Sequence, residues 1–270
     1  MDTEAIKRKY FGFDAAMRHI PEVSDKIRNR IKPIDLKRCY DGLSSDHFVV
    51  GLYDYFVNGD MPSLKNNLYV SCVLKLTSLA ISEDRFELQT PDYLLYSMIS
   101  DSNAMVQAFS VASPHGFVSA REDPLNNQFY VHMLQLAMMG DDVSLADKIR
   151  RMAKNGRKPL RIECERGEDF FSTLIRGDKE GLEQIIRTDA SRKSEHVYTE
   201  DYFSFLAVLE AKLCWRRGVF VEIDHPLVPM ELMPVKPLDH YDDVYDFLKP
   251  GWVPPPQGLI GRVSRWFKSR

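Results

Sequence analysis

Residues 221–238 (VEIDHPLVPMELMPVKPL) constrain the fold more than any other part of the chain. They place four prolines, at positions 226, 229, 234 and 237, among valine, isoleucine, leucine and methionine. Each proline lacks a backbone donor and pushes the preceding residue out of the helical region. The segment is therefore predicted to be extended, with room for one short turn at residues 230–233. Since an extended apolar segment needs a surface to cover, we expect a belt packed across the protein. The alternative is that part of this belt forms a partner-binding edge.

Helical periodicity dominates the rest of the chain. The clearest helix is predicted at residues 199–217, with Thr199 as its N-cap and Gly218 just past its end. Further helices are predicted at residues 35–58, along the apolar stripe of residues 69–80, after Asp123 and Pro124, and at residues 240–248. Alternating side chains at residues 219–223 indicate one short strand.

Glycine–aspartate pairs recur between the helical segments. Gly140-Asp141 and Gly177-Asp178 are 37 residues apart, and Gly59-Asp60 is a third pair. Glycine ends a helix in the left-handed conformation and aspartate caps the next helix, which predicts helical hairpins. Such pairs are also common between helices that form no repeat. With either explanation the predicted fold is all-α, built from packed antiparallel helical hairpins, with a solenoid-like stack as one arrangement. We expect residues 1–270 to form a single domain.

Composition and charge exclude several classes of protein. The net charge of −3 and isoelectric point near 6.2 differ from the strongly basic character of a nucleic-acid-binding domain. The N-terminus has no secretory signal pattern, and the apolar stretches are too short to span a membrane. Four scattered cysteines are typical of reduced, buried thiols. A cytoplasmic location is the resulting expectation.

Catalytic motifs are missing from the sequence. It has no glycine-rich phosphate loop, no G-x-S-x-G and no H-E-x-x-H. The histidines are dispersed, with no pair at the spacing of helical metal ligands, and Ser113-Pro114-His115-Gly116 reads as a turn. We therefore expect a protein that is not an enzyme and that has no catalytic residues, metal site or cofactor.

Two oppositely charged segments lie near the C-terminus. Residues 222–246 contain seven acidic residues and one basic residue. Such a surface attracts a basic partner and speeds association, although it is equally typical of a solvated face. The candidate partner-binding residues are Glu231, Asp239, Asp242, Asp243 and Asp246. Residues 258–270 (GLIGRVSRWFKSR) form a basic amphipathic tail, which we expect to dock on the protein's own acidic region rather than on a membrane, because one short helix binds membranes weakly.

Residues 202–248 resemble a known family. The resemblance is carried by FLAVLEAKLCWRRG at residues 205–218, VEIDHPLVPMELMPV at residues 221–235, and the closing pattern of Pro237, Leu238, Tyr241 and YDFL at residues 245–248. This run is similar to the C-terminal part of the Immunity 49 family of bacterial polymorphic-toxin systems. The shared pattern is one of packing and contains no catalytic residue.

The resemblance implies an all-helical cytoplasmic protein that binds a cognate toxin, delivered by a neighbouring or sibling cell, and neutralises it by stoichiometric occlusion. Two alternatives remain open. One is a helical-repeat adaptor that binds host proteins, with no toxin involved. The other is an all-helical hydrolase that reverses the modification made by a toxin.

Overall fold

A computed structural model describes residues 11–30, 33–82, 87–192, 202–249 and 251–255. The described residues form helices and contain no strand, so the predicted all-α class is confirmed. The helices, numbered in chain order, are α1 (Phe11–Asn29), α2 (Leu36–Asn58), α3 (Met61–Ile81), α4 (Asp92–Ser100), α5 (Asn103–Val111), α6 (His115–Ala120), α7 (Asn127–Met139), α8 (Asp142–Asn155), α9 (Leu160–Arg166), α10 (Phe170–Arg176), α11 (Lys179–Ala190) and α12 (Phe205–Arg216).

The glycine–aspartate pairs form the predicted turns between packed helices. The first residue of each pair ends a helix in the left-handed conformation, with φ of 68°, 73° and 65° at Gly59, Gly140 and Gly177. The aspartate then accepts a hydrogen bond from the backbone N–H three residues later, at 2.9–3.0 Å. These turns join α2 to α3, α7 to α8, and α10 to α11, and the helices of each pair pack together. The hairpin prediction is confirmed at all three positions.

Contacts within the chain group into two compact units. The first unit comprises Met1–Ser82 and His240–Arg270, and the second comprises Glu83–Asp239. This grouping does not test whether the chain folds as one domain, so the single domain over residues 1–270 stays a prediction.

The first unit buries one apolar cluster between helices α1, α2 and α3. Ile27, Leu43 and Leu74 lie in this cluster, each with no exposed surface. Two aromatic residues from the C-terminal segment, Tyr245 and Phe247, complete it. The core of this unit is therefore assembled from both ends of the sequence.

The second unit contains helices α4 to α12 and the proline-rich belt. Its core is rich in phenylalanine, with fully buried rings at Phe109, Phe117, Phe129, Phe171 and Phe203. Helix α12 packs against α4, α7 and α11. It therefore lies among the other helices of this unit, and its side chains are buried over most of its length.

The belt at residues 221–238 is extended, as predicted, and its only described helical turn is a short 3-10 helix at Met230–Leu232. Lys212 of α12, which has no exposed surface, holds this part of the belt. Its Nζ donates to the backbone carbonyls of Leu232, Met233 and Pro234 at 2.7, 3.3 and 3.2 Å. The same Nζ lies 2.8 Å from a carboxylate oxygen of the fully buried Asp101. The belt is thus fixed through its backbone by a buried ion pair.

Three local predictions differ from the structure. Helix α12 begins at Phe205 with Ser204 as N-cap residue, later than predicted, and Thr199 lies outside the described residues. Residues 219–223 form no strand, because their backbone groups bond to nearby carbonyls and side chains. The Val219 and Val221 N–H groups donate to the carbonyls of Cys214 and Val219. The Trp215 indole donates to the Val221 carbonyl, and the Glu222 N–H donates to Glu183.

The predicted helix at residues 240–248 is also wrong. This segment is irregular and ends in a 3-10 turn at Asp246–Leu248. The sequence predicted an apolar face formed by Tyr241, Val244, Tyr245 and Leu248, but Val244 is 49% exposed and has a φ of 59°. Tyr245 is buried, as that face required, but so is Phe247, which the helical pattern placed off the face. A spacing of two residues places both rings in the core only if the backbone is not helical.

Candidate functional site

The acidic segment at residues 242–246 is held in the first unit by the aromatic residues beside its carboxylates. The Tyr245 ring stacks on Phe247 with 4.7 Å between ring centroids. The Tyr245 hydroxyl is 2.8 Å from Nε2 of His47, a buried residue of α2. On its other ring nitrogen, His47 is 2.8 Å from the side-chain oxygen of Asn67. Burial lowers the pKa of His47, so the ring is neutral and bridges helices α2 and α3 to the segment.

The three aspartates of this segment differ in availability. Asp242 is exposed, and its carboxylate accepts a hydrogen bond from the Val244 N–H at 2.9 Å. Asp246 is half exposed and forms an ion pair of 3.2 Å with Arg28 of α1. Asp243 accepts a 2.7 Å hydrogen bond from the Tyr69 hydroxyl, and burial together with this carboxylate raises the pKa of Tyr69 to about 12. Asp243 is therefore committed to the fold, whereas Asp242 and Asp246 face solvent.

The remaining predicted partner-binding residues belong to the second unit. Glu231 lies in the 3-10 turn of the belt, Asp239 lies at its end, and both are exposed. Asp242, Asp243 and Asp246 are grouped in the first unit, and Glu231 and Asp239 in the second. The basic tail at residues 258–270 lies outside the described residues.

A cavity in the second unit is a feature that the sequence did not predict. It has a volume of about 450 Å³ and lies among helices α7, α9, α10, α11 and α12. Its wall combines aromatic and aliphatic side chains with several carboxylates: Tyr130, Leu160, Glu163, Glu168, Phe170, Phe171, Ile185, Asp189, Arg192, Leu206 and Glu210.

Two carboxyl groups form the polar centre of this cavity. Glu210 of α12 is 1% exposed and shares a hydrogen bond with the Asp189 carboxyl group of α11. Burial and the nearby Asp189 raise the pKa of Glu210 well above its usual 4.5, so Glu210 carries the proton. Asp189 is ion-paired with Arg192 at 2.6 Å.

A second cavity, of about 370 Å³, shares part of its wall with the first. Tyr130 and Leu160 line both cavities. The rest of the second wall comes from the segment before α4, the α6–α7 connection, α7, α8 and the α8–α9 connection. Burial raises the pKa of Tyr130 well above its usual value, which keeps its phenol protonated. Tyr130 thus separates a carboxyl-bearing cavity from a neighbouring one.

Comparison with known proteins gave no relative for this chain. Neither the protein-family models, nor the curated proteins, nor the solved structures gave a match. The resemblance of residues 202–248 to the Immunity 49 family therefore stays a prediction.

Two further searches of the described residues concern metal binding and membrane-spanning helices. Within the described ranges, no group of three or more histidine, cysteine, aspartate or glutamate side chains is placed to bind a metal ion. No helix among the same residues has the length and apolar character needed to cross a membrane.

One sequence signal pointed toward the cavity. Helix α12 reads FLAVLEAKLCWR, in which Glu210 and Lys212 interrupt an otherwise apolar run. Ionisable residues on the buried part of a helix need partners. Lys212 contacts Asp101 and the belt, and Glu210 shares a hydrogen bond with Asp189 at the cavity wall. The identity of these partners depended on residues distant in the sequence and could not be inferred locally.

Proposed function

We propose that this protein is a cytoplasmic immunity protein that binds a cognate toxin and neutralises it by stoichiometric occlusion. The observation that carries the proposal is the exposure of Asp242 and Asp246 on a segment fixed by buried Tyr245 and Phe247. The resemblance of residues 202–248 to the Immunity 49 family suggests that the partner is a bacterial toxin.

The fixed geometry of this segment suits a binding surface. A charged loop that is already ordered loses little conformational entropy when it binds. Here the Asp242 N–H donates to Asn66 of α3, and the Asp246 carboxylate is paired with Arg28 of α1. The carboxylates therefore keep one arrangement before the partner arrives.

Charge contributes mainly to the rate of binding. Exposed carboxylates steer a basic partner during diffusional encounter, and this effect weakens as salt is added. Lasting occlusion also needs an interface of roughly 1,600 Å² with buried anchor residues. The acidic segment is therefore expected to raise the association rate and to orient the toxin as it binds.

The first test is a titration against the polypeptide encoded immediately upstream of this gene. We expect a stable complex and full neutralisation at one equivalent. Neutralisation that still requires a large molar excess, or the lack of any complex, would exclude occlusion of that polypeptide.

The second test removes charge from the acidic segment. The double variant Asp242→Asn with Asp246→Asn keeps side-chain oxygens that can accept the local hydrogen bonds but removes two negative charges. We expect several-fold slower association and a weaker dependence of the association rate on salt. A matched control, Asp14→Asn with Asp147→Asn, removes two charges from exposed positions on α1 and α8. Equal association rates for the two double variants would exclude this segment from the interface.

The carboxyl pair in the cavity favours a second candidate function. Two carboxyl groups with different proton affinities are a common arrangement in hydrolases. A hydrolase that reverses a toxin modification would act on many target molecules. The same titration separates the two functions, because a hydrolase would protect at far less than one equivalent and would lose protection in the variant Asp189→Asn.

A further inference from the structure

We propose that the second cavity of this unit, of about 370 Å³, is a binding site for a free carboxylic acid with an apolar body. The inference rests on the residues of the cavity wall and does not depend on the proposed function.

The buried part of the wall is apolar, and apolar surface continues to its exposed edge. Val131 and Met152 line the cavity and are 1% and 3% exposed. Leu125 belongs to the same wall and is 47% exposed, although removing a leucine side chain from water is favourable. A ligand with an apolar body would cover Leu125 and pack against Val131 and Met152.

The size of the cavity limits the size of the ligand. Its volume of about 370 Å³ is near the lower end of the range for small-molecule sites, about 300–1,000 Å³. Because a water-sized group occupies about 30 Å³ in a liquid, the cavity has room for about a dozen non-hydrogen atoms. This volume fits a small acid whose body is one ring or a short alkyl chain.

Two adjacent cations in the wall indicate the charge of the ligand. Arg157 and Lys158 are exposed, and neither forms an ion pair with a described residue. By contrast, four other cations of α8 and α9 lie 2.6–3.6 Å from a carboxylate oxygen: Lys148, Arg150, Arg151 and Arg161. Two unpaired positive charges beside an apolar wall attract an anion.

No carboxylate competes for these cations within the described part of the wall, which contains neither aspartate nor glutamate. Two acids are adjacent to wall residues in the sequence, and both bond to groups close by. Asp92 accepts a hydrogen bond from the Thr90 hydroxyl at 3.1 Å. Asp123 accepts from the Leu125 N–H and the Asn126 amide at 3.0 and 3.1 Å. The charge of the described wall is therefore net positive.

Neutral donors complete the polar part of the wall. The side-chain amides of Gln89 and Asn127 line the cavity and form no hydrogen bond with a described residue. A carboxylate offers acceptors to amides, to an ammonium group and, through both of its oxygens, to a guanidinium group. An ammonium ligand would instead meet two like charges. The wall thus favours a carboxylate over a cation or a neutral group.

Calorimetric titrations of the full chain test the binding of free acids. The probes are phenylbutyrate and octanoate, compared with phenylbutanol, phenylbutylammonium and acetate. We expect the two acids to bind. Phenylbutanol and phenylbutylammonium lack the negative charge and acetate lacks the apolar body, so each should bind at least tenfold more weakly. Failure of both acids to bind at millimolar concentration would overturn the proposal, as would equal binding of phenylbutanol.

The C-terminal residue of a polypeptide carries the same chemical groups, and a further titration separates this source from a free acid. The probe is a short unstructured peptide that ends in phenylalanine with a free carboxylate. We expect it to bind more weakly than phenylbutyrate, because the cavity volume leaves little room for the preceding residues. If the peptide bound at least tenfold more tightly than both free acids, the assignment to a free acid would be wrong.

The variant Asn127→Asp places a carboxylate in the wall with almost no change of size. Asn127 is the first residue of α7, where a negative charge is tolerated, so the variant should fold. We expect it to bind both acids at least tenfold more weakly. The matched control Asn103→Asp makes the same change at the exposed first residue of α5, outside the described wall, and should bind like the wild type. Equal affinities of these two variants would contradict the proposal.

A pair of double variants tests the two cations. Arg157→Gln with Lys158→Gln should lower the affinity for both acids at least tenfold. Arg150→Gln with Lys154→Gln removes two exposed cations of α8 that do not line the cavity, so it controls for the change in net charge. If both double variants bound the acids equally well, Arg157 and Lys158 would not form the anion site.

Discussion

At the residue scale, Glu210 is an ionisable residue buried in a largely apolar helix. It is almost fully buried, and burial with the adjacent Asp189 raises its pKa well above 4.5. The folded protein thus keeps a proton that the unfolded chain releases once the pH exceeds 4.5. The contribution of Glu210 to the free energy of unfolding is therefore fully present below pH 4.5. It is lost as the pH rises toward the pKa of the folded protein, by up to about 1.4 kcal/mol per pH unit.

The variant Glu210→Gln tests this linkage. Glutamine has no proton to lose, and its amide can donate to Asp189 as the protonated acid does. We expect the free energy of unfolding of the variant, relative to the wild type, to be higher at pH 8 than at pH 5. Urea unfolding at the two pH values measures the difference. The same difference at both values, or a larger advantage at pH 5, would contradict the assigned protonation state.

At the element scale, Lys212 links helix α12 to the belt. Its Nζ contacts Asp101 and three belt carbonyls, and the Lys236 N–H donates to the second oxygen of Asp101 at 3.1 Å. The variant Lys212→Met leaves a buried carboxylate and belt carbonyls without this donor. We expect a loss of about 3–5 kcal/mol in unfolding free energy. We also expect faster amide exchange at Lys236.

A second buried lysine of the same unit is the control for the belt. Lys148 of α8 is 5% exposed and contacts Glu122 and the Arg121 carbonyl. Lys148→Met should also lower the free energy of unfolding. The exchange rate of the Lys236 amide should then increase only as far as the lower global stability accounts for. If both variants accelerate that amide equally after correction for stability, Lys212 does not fix the belt.

The glycine–aspartate turns give another prediction at this scale. Gly177 ends α10 with φ of 65°, and a methyl group added there would meet no atom within 4 Å. The cost of Gly177→Ala therefore comes from the backbone conformation alone, at about 1–2 kcal/mol. Asparagine tolerates the left-handed conformation better, so Gly177→Asn should lose less. Equal unfolding free energies for wild type and Gly177→Ala in urea titrations would show that the turn does not need glycine.

Elements set by local chemistry could be predicted from the sequence, whereas elements set by distant contacts could not. The Gly59-Asp60 turn needs only its own glycine and aspartate, and the prolines at residues 226–237 exclude a helix by themselves. Residues 240–248 carry a helical pattern but are irregular, because the first unit buries Tyr245 and Phe247 together. A nine-residue helix has little stability of its own to oppose such packing.

The candidate site shows the same division. The exposure of Asp242 and Asp246 follows from local polarity, but the bond that commits Asp243 to Tyr69 joins residues 174 positions apart. The cavity has the same origin, since its Glu210 and Asp189 carboxyl groups come from separate helices. A sequence pattern can show that Glu210 is out of place in an apolar helix, and only the fold can supply its neighbour.

At the scale of the whole molecule, the core of the first unit is formed by helices α1 to α3 together with a segment from near the end of the chain. Phe247 stacks on Tyr245 and lies 6.2 Å from Tyr40 of α2, measured between ring centroids. Removing such a buried ring typically costs about 3–5 kcal/mol. The variant Phe247→Ala should therefore weaken helices α1 to α3 although it lies far from them in the sequence.

The same variant tests the prediction of a single domain. If residues 1–270 unfold cooperatively, Phe247→Ala should lower the hydrogen-exchange protection of the most stable amides in α2 and in α12 by the same free energy, because both amides then exchange through one global opening. The reciprocal variant Phe109→Ala, which removes a fully buried ring of the second unit, should likewise affect both helices. Loss of protection confined to α2 in the first variant and to α12 in the second would contradict the prediction, since each unit would then open on its own.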